Sequence, residues 1–321
     1  MQSAAPHPRE RARLSRLHAL GLLDTEAEEA FDRITRLAQT ICAAPIALIS
    51  LLDRDRQWFK SRQGLAVTET DRSIAFCAHT ILGQEPMLVE DARVDPRFCD
   101  NPLVTGEPDV AFYAGVPLRM PGGLPAGTLC VIDREARLLA PETTEALRDL
   151  AALTEDVLAL RELAVMDSLT GLHNRRGFMQ MGAAIVDLAD RERRPLTLVY
   201  LDLDGLKAVN DTHGHDAGDQ MLVTAARVVG SSFRGADTVA RLGGDEFVAL
   251  LFDVDESAVP RALRRFTDEL ADANRRRSTV LPVSVSIGWA TRAPRQRSLA
   301  DLLIAADARM YEAKKSRSAG V

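Results

Sequence analysis

Two short acidic segments are the residues of this sequence best suited to chemistry. Asp202-Leu203-Asp204 closes an apolar run over residues 198–203. Side chains alternate along a strand, so both carboxylates emerge on one face where a buried strand opens to solvent. Farther on, Gly243-Gly244-Asp245-Glu246 joins the apolar runs 239–242 and 247–252. Paired glycines tolerate the positive φ of a tight hairpin turn and leave room for a ligand against the backbone. Placing that tip beside the Asp202 strand end would gather three or four carboxylates around one point, where they repel one another unless a cation intervenes. Oxygen ligands of this kind suit Mg²⁺, which also bridges phosphates. An ordinary acidic hairpin accounts equally well for Gly-Gly-Asp taken alone. A second pair, Cys77 and His79, is spaced to reach one side of a strand as metal or haem ligands. No further Cys or His cluster completes such a site, so a framework role in a core is the simpler reading, as it is for Trp58 and Phe59.

The elements that must position these residues fall into two sets. In the first, Ala30, Phe31, Ile34, Leu37, Ala38 and Ile41 follow helical spacing, with Thr25 as the expected cap and Glu28 three residues on. Strands are expected over 46–52, 57–60, 87–89, 114–118 and 127–132, forming an antiparallel sheet of an α+β domain. In the second, the spacing predicts helices over 175–191, 216–229, 258–274 and 299–315, strands over 196–201 and 282–290, and a hairpin over 238–252. That order is βαββαβ with extra helices. Between the sets, Ala146, Leu150, Leu153, Val157, Leu160 and Ala164 step by four and three with charged residues between them, a heptad seam. The seam fits a two-stranded parallel stalk that would make the protein a homodimer; a lone amphipathic helix packed on its own domain is the alternative.

Composition limits what the site serves. The 321 residues suffice for two cores, and 46% hydrophobic with 27% charged residues describes a globular protein. A net charge of -6 argues against a nonspecific nucleic-acid binder. The four cysteines, Cys42, Cys77, Cys99 and Cys130, form no Cys-x-x-Cys pair and read as reduced thiols. No signal peptide or membrane span is expected, and the predicted location is cytoplasmic.

Gly243-Gly244-Asp245-Glu246-Phe247 spells a signature, and residues 163–317 resemble the GGDEF family of diguanylate cyclase domains. Asp167-Ser168-Leu169-Thr170-Gly171-Leu172 with Asn174-Arg175-Arg176 matches the family's opening motif. Asp202-Leu203-Asp204 through Lys207, Asn210-Asp211, Gly214-His215-Asp216 and Gly218-Asp219 matches its central one. The resemblance implies that two GTP molecules are condensed into cyclic di-GMP and two pyrophosphates. It implies that Asp202, the carbonyl of Leu203, and Asp245 hold two Mg²⁺ or Mn²⁺ ions, with Asp245 or Glu246 as the candidate proton acceptor. Asn210 and Asp219 would read the guanine edge. Lys207, His215 and Lys314 would lie by the phosphates or the base, Gly243 and Gly244 against the nucleotide, and Arg317 near a phosphate. The last helix departs from the family pattern: Ala313-Lys314-Lys315-Ser316 runs to Arg317 one residue short and without the family's glycine. Arg234 and Asp237 stand at the family's spacing for a product-inhibition site, with Arg265, and Arg261 one helical turn before it, as assisting residues.

In the first half, Leu20-Gly21-Leu22-Leu23-Asp24-Thr25, Arg56-Gln57-Trp58-Phe59-Lys60, Phe76-Cys77-Ala78-His79, Asp95-Pro96-Arg97-Phe98 and Phe112-Tyr113-Ala114-Gly115-Val116-Pro117-Leu118 together resemble a GAF domain of unknown ligand. The expected organisation is an extension over 1–21, the GAF sensor over 22–145, a coiled-coil linker over 146–166 and the cyclase-like domain over 167–321. The alternative to an enzyme is a catalytically weak receptor for cyclic di-GMP.

Overall fold

The structure is a computed structural model that describes residues 2–233, 237–276, 282–292 and 298–318. It divides into two compact units, Met1–Glu162 and Leu163–Val321.

The first unit opens with α1 (Glu10–Ala19) and α2 (Glu29–Cys42), followed by β1 (Ile46–Leu52), β2 (Arg56–Gln63) and β3 (Glu69–Asp71). After a short 3₁₀ turn come α3 (Phe76–Thr80), β4 (Met87–Val89), α4 (Pro102–Thr105), β5 (Phe112–Arg119), β6 (Pro125–Asp133) and the long α5 (Pro141–Val165). Among the described residues the strands form a six-stranded sheet in the order β3-β2-β1-β6-β5-β4, with every pairing antiparallel. Period-two alternation gives the central strands two apolar faces. Ala47, Ile49 and Leu51 pack with Leu17 of α1, Phe31 and Ile34 of α2, and Leu147, Leu150 and Leu158 of α5. Ile46 and Leu48 face the other way, with Phe76, Phe98, Tyr113 and Cys130.

Two local expectations change. Thr25 does not cap α2: its hydroxyl donates to the Leu22 carbonyl, and the N-cap residue is Glu28. The side chain of Glu28 is engaged elsewhere, because Lys60 of β2 is fully buried and must be paired. Lys60 Nζ lies 2.7 Å from Glu28 Oε1 and donates to the Thr25 hydroxyl and the Glu26 carbonyl. Arg161 of α5 also pairs with Glu28 and donates to the Leu20 carbonyl, so this buried charge ties α5 to the sheet. Cys77 and His79 lie on a helix, not a strand, and diverge: Cys77 points into the core and His79 Nε2 meets the Gln2 carbonyl at 3.0 Å.

On α5, Leu147, Leu150, Ala151 and Leu158 are buried, whereas Leu153, Leu160 and Leu163 are 52%, 68% and 71% exposed. One face of the helix serves its own unit; part of the heptad seam lies open.

The second unit contains α6 (Arg175–Glu192), β7 (Leu196–Leu203), α7 (Leu206–His213), α8 (His215–Ser232), β8 (Thr238–Gly243), β9 (Glu246–Phe252), α9 (Val259–Arg276), β10 (Val285–Arg292) and α10 (Leu299–Ser318). Its described strands form a four-stranded antiparallel sheet, β10-β7-β9-β8. β7, central and buried along its whole length, is apolar except where Thr197 and Asp202 interrupt it. Leu201, Leu203 and Phe247 pack with α8 and α9, while Leu198, Tyr200 and Val248 pack with α6 and α10. α7 has no counterpart in the expected order, since Leu206, Ala208 and Val209 between Gly205 and Gly214 make little periodicity. Among the described residues, no helix is long and apolar enough to cross a membrane.

Replacing Glu28 with Ala leaves the interior ammonium of Lys60 without its counter-charge. We expect a loss of about 3 kcal/mol in stability, read from the urea midpoint of the full chain.

Candidate active site

The site is assembled by strand register. β7 and β9 pair antiparallel so that Asp202 stands directly opposite Glu246. At their ends the Leu203 N–H donates to the Asp245 carbonyl at 3.0 Å, which fixes the tip of the β8–β9 hairpin against the end of β7. Gly243 and Gly244 take φ of +152° and +50°, conformations that side chains disfavour, and nothing lies within 4 Å of where a Cβ would sit on either. The turn therefore presents bare backbone and open space beside two acidic side chains.

The hairpin is braced from a third segment. Arg241 donates through Nε and Nη2 to the Gly244 carbonyl, at 3.0 and 2.8 Å, and through Nη1 to both oxygens of Asp167. Asp167 also accepts from the Thr170 backbone and hydroxyl. Burial raises the Asp167 pKa, and the bonds from Thr170 and Arg241 outweigh it, leaving the group below its ordinary value. Asn174 caps α6 through the Gly177 N–H and donates to the carbonyls of Ala164 and Met166, so the opening motif is a fastening between the end of α5 and the signature turn.

The acidic residues converge less than expected. Asp204 accepts from the hydroxyls of Ser284 and Ser286, at 3.0 and 2.7 Å. Glu246 lies 3.9 Å from Arg175, and its charge adds to burial in pushing the Tyr200 pKa up. Among the described residues no three His, Cys, Asp or Glu side chains come together as metal ligands. The expected group of three or four carboxylates is thus reduced, because β10 and α6 supply partners for two of its members. Asp202 is nearly buried, and its pKa is raised by burial first, then by the charges of Asp245 and Asp204, against a lowering bond from Lys314. Two like charges about 4 Å apart repel by roughly 4 kcal/mol at an effective dielectric of 20, so a cation at this point is worth several such interactions. Lys314 supplies one: its Nζ lies 2.5 Å from Asp202 Oδ1, and its own pKa is raised by that bond. α10 reaches that position because it lies flush on β10, where a Cβ on Gly288 would come within 2.1 Å of the Met310 nitrogen.

Asp202, Asp245 and the Leu203 carbonyl, the ligands the resemblance implies, would offer hard oxygen donors only. That chemistry fits Mg²⁺ or Mn²⁺, which take one or two carboxylates and complete their shells with water and substrate phosphate.

The other sequence-derived positions lie mainly on α7, α8 and α9. Lys207, His215 and Asp219 are exposed on α7 and α8. Asn210 is half-buried, and its Oδ1 has no hydrogen-bond partner among the described residues. A Cβ on Gly218 would come within 1.9 Å of that oxygen, so the glycine makes room for the amide beside the first turn of α8, where Asp219 follows. Arg234 lies outside the described residues, as does the side chain of Arg317. Asp237 accepts from the Phe252 N–H at 3.1 Å, and Arg261 and Arg265 are exposed on α9. Arg241, Ser284 and Ser286 were not singled out from the sequence; Arg241, two residues ahead of the glycines, carried the only local signal.

Comparison with known proteins follows the same division. Residues 164–319 match the family described as diguanylate cyclase, GGDEF domain, and residues 26–158 match the GAF domain. A Pseudomonas aeruginosa protein named as a cyclic di-GMP phosphodiesterase is 40% identical over 228 residues, 68% of this chain and 38% of that protein. A probable diguanylate cyclase of Escherichia coli K12 is 31% identical over 164 residues, 51% of this chain and 44% of that protein. The chain thus spans about two fifths of the length of these curated relatives. Among solved structures, the coiled coil and GGDEF domain of DgcB from Caulobacter crescentus, in complex with c-di-GMP, is 28% identical. The match covers 55% of this chain and 93% of that one, with a TM-score of 0.50.

Arg241→Met should leave the Gly244 carbonyl and Asp167 without their partner. We expect about 1–3 kcal/mol lower stability, measured by chemical denaturation, and faster amide exchange at residues 243–246.

Proposed function

We infer the activity from family membership, since this chain is a GAF domain followed by a GGDEF domain: its second unit condenses two GTP into cyclic di-GMP and two pyrophosphates. The observation that carries this reading is the pairing of Asp202 with Glu246, together with the Leu203-to-Asp245 hydrogen bond, which brings two acidic side chains and a glycine turn to one point.

In this reading Asp202, Asp245 and the Leu203 carbonyl hold two divalent ions, Mg²⁺ or Mn²⁺. When bound, such ions polarise the α-phosphate, lower the pKa of the attacking 3'-hydroxyl and offset the charge on pyrophosphate. The residues of the chain do the rest. Asn210 and Asp219 present an acceptor and a carboxylate to the N1 and N2 donors of guanine. Lys207 and His215 flank the phosphates with Arg317, and Lys314 passes from Asp202 to a phosphate oxygen. Gly243 and Gly244 admit the nucleotide against the backbone. Asp245 or Glu246 accepts the proton. Each 3'-hydroxyl must reach the α-phosphate of the other GTP, and one domain supplies one nucleotide pocket, so two copies must face each other. The exposed Leu153 and Leu160 on α5 support a homodimer formed through that helix. Arg234, Asp237 and Arg265 form the inhibitory product site, and the GAF unit regulates the output.

A second reading, a cyclic di-GMP receptor with little turnover, is favoured by one observation, the shortened segment after Lys314. The two separate on one preparation. Protein stripped of bound nucleotide and given GTP with Mg²⁺ or Mn²⁺ should yield cyclic di-GMP and pyrophosphate; tight product binding by calorimetry with no turnover selects the receptor. Asp245→Ala should lower turnover by at least about a hundredfold, and Arg234→Ala should relieve product inhibition without abolishing turnover. The raised pKa of Asp202 sets a pH dependence as well. The carboxyl must lose its proton to bind a cation, so Mn²⁺ affinity, measured by titration calorimetry, should weaken on acidification from a higher pH than an unperturbed aspartate would dictate.

A further inference from the structure

The GAF unit contains a polar cluster that the proposed chemistry does not use. Cys77 of α3 and Cys130 of β6, 53 residues apart in the chain, bring their sulfur atoms to 3.8 Å inside the core. Hydroxyl groups surround them in an otherwise apolar setting. Tyr113 of β5 donates to Cys77 Sγ at 3.4 Å, and its oxygen lies 2.8 Å from the Thr80 hydroxyl. Ser50 and Thr128, opposite each other on β1 and β6, have their hydroxyls 2.9 Å apart, and both act to lower the Cys77 pKa. Buried hydroxyls cost free energy unless paired, and a hydroxyl donor directed at a sulfur is an arrangement that stabilises a thiolate. Burial pushes the Cys77 thiol up, but Cys130 and the neighbouring hydroxyls of Ser50, Thr128 and Tyr113 more than offset it and hold the group below its ordinary value. Cys130 is held well above the usual thiol range by its bond to Cys77 and by burial. The Tyr113 hydroxyl donates to Cys77 and not to Cys130, which marks Cys77 as the attacking and Cys130 as the resolving thiol.

We propose that Cys77 and Cys130 form a reversible disulfide, making the GAF unit a dithiol site for a small uncharged peroxide. The Cys77 thiolate attacks one peroxide oxygen; the O–O bond breaks, hydroxide leaves and takes a proton as water, and Cys77 becomes a sulfenic acid. Cys130 then attacks Cys77 Sγ, forming the S–S bond. The sulfenic hydroxyl leaves with the Cys130 proton as a second water. Two electrons pass from the sulfurs to the peroxide, and a low-molecular-weight thiol returns the pair by exchange. Closing the gap from 3.8 Å to an S–S bond of about 2.05 Å requires α3 and β6 to approach. α3 carries Phe76, stacked on Phe98 at 4.0 Å, so the aromatic cluster on this face of the sheet shifts with it. The other cysteines are poorer candidates: Cys42 is buried with its thiol pushed up, and Cys99 is exposed without a sulfur neighbour among the described residues.

The test uses the reduced full chain treated with hydrogen peroxide, alkylated under denaturing conditions, digested without reductant and read by mass spectrometry. The expected product is a Cys77–Cys130 linked peptide, about 2 Da lighter than the two reduced peptides together and lost on treatment with dithiothreitol. Tyr113→Phe, which keeps the ring and removes one donor to the thiolate, should form it roughly fivefold more slowly. Cys130→Ser should stop at a Cys77 sulfenic acid that dimedone traps. If Cys77 and Cys130 both remain alkylatable after Cys99 is fully oxidised, or if Cys77 advances to sulfinic acid in the wild-type chain without the linked peptide, the proposal is overturned. The peptide map on the unaltered chain decides the matter even where a variant fails to fold, and it is independent of any cyclase activity.

Discussion

The second unit depends on one backbone contact, the hydrogen bond from the Leu203 N–H to the Asp245 carbonyl at the end of the β7–β9 pairing. It converts two segments some forty residues apart into one acidic point. A slip of one residue would turn Asp202 to the other face of the sheet, toward Leu201 and Leu203 and the helices α8 and α9. The register is protected because both faces are buried: β7 has no solvent side to exchange with its core side. Catalytic precision of the kind proposed here therefore comes from hydrophobic patterning, which is nondirectional, acting through a strand ladder, which is not.

Charge in this protein is handled by pairing. Asp202 meets Lys314, Asp167 meets Arg241, and interior Lys60 meets Glu28. These pairs differ in what they do. The Lys60 pair sits in the core and ties α2, β2 and α5 together, so loss of one partner is costly. The Lys314 pair is more exposed and screened, so its value lies in position: it keeps a cationic side chain at the oxygen where positive charge is needed. The Arg241 brace links the hairpin carbonyl to the segment that follows α5, which places the start of the cyclase-like unit and its signature turn in one hydrogen-bonded assembly.

Sulfur and hydroxyl chemistry in the GAF unit follows the same logic in a neutral form. Cys77, Tyr113, Thr80, Ser50 and Thr128 satisfy one another on a face of the sheet that is otherwise aromatic and aliphatic. Such a network persists in a core only if its members are paired, and pairing of this kind gives one sulfur the character of an acid stronger than an ordinary thiol.

By itself, the sequence determined the two-domain organisation, most strands and the longer helices of both units, and the signature turn, because each is encoded in local periodicity, in glycine's conformational freedom or in an ordered set of short motifs. α1, α3, α4, α7 and the short β3 escaped it: none is long or periodic enough to stand out from its flanking residues. Tertiary structure decided the rest. It turned Asp204 toward Ser284 and Ser286 and Glu246 toward Arg175, where spacing alone had gathered them with Asp202. It brought Lys314 to Asp202 across 112 residues and Cys77 to Cys130 across 53. Spacing along a chain fixes which face a side chain occupies, but its partner is chosen by whichever element packs against that face, and that choice depends on the fold as a whole.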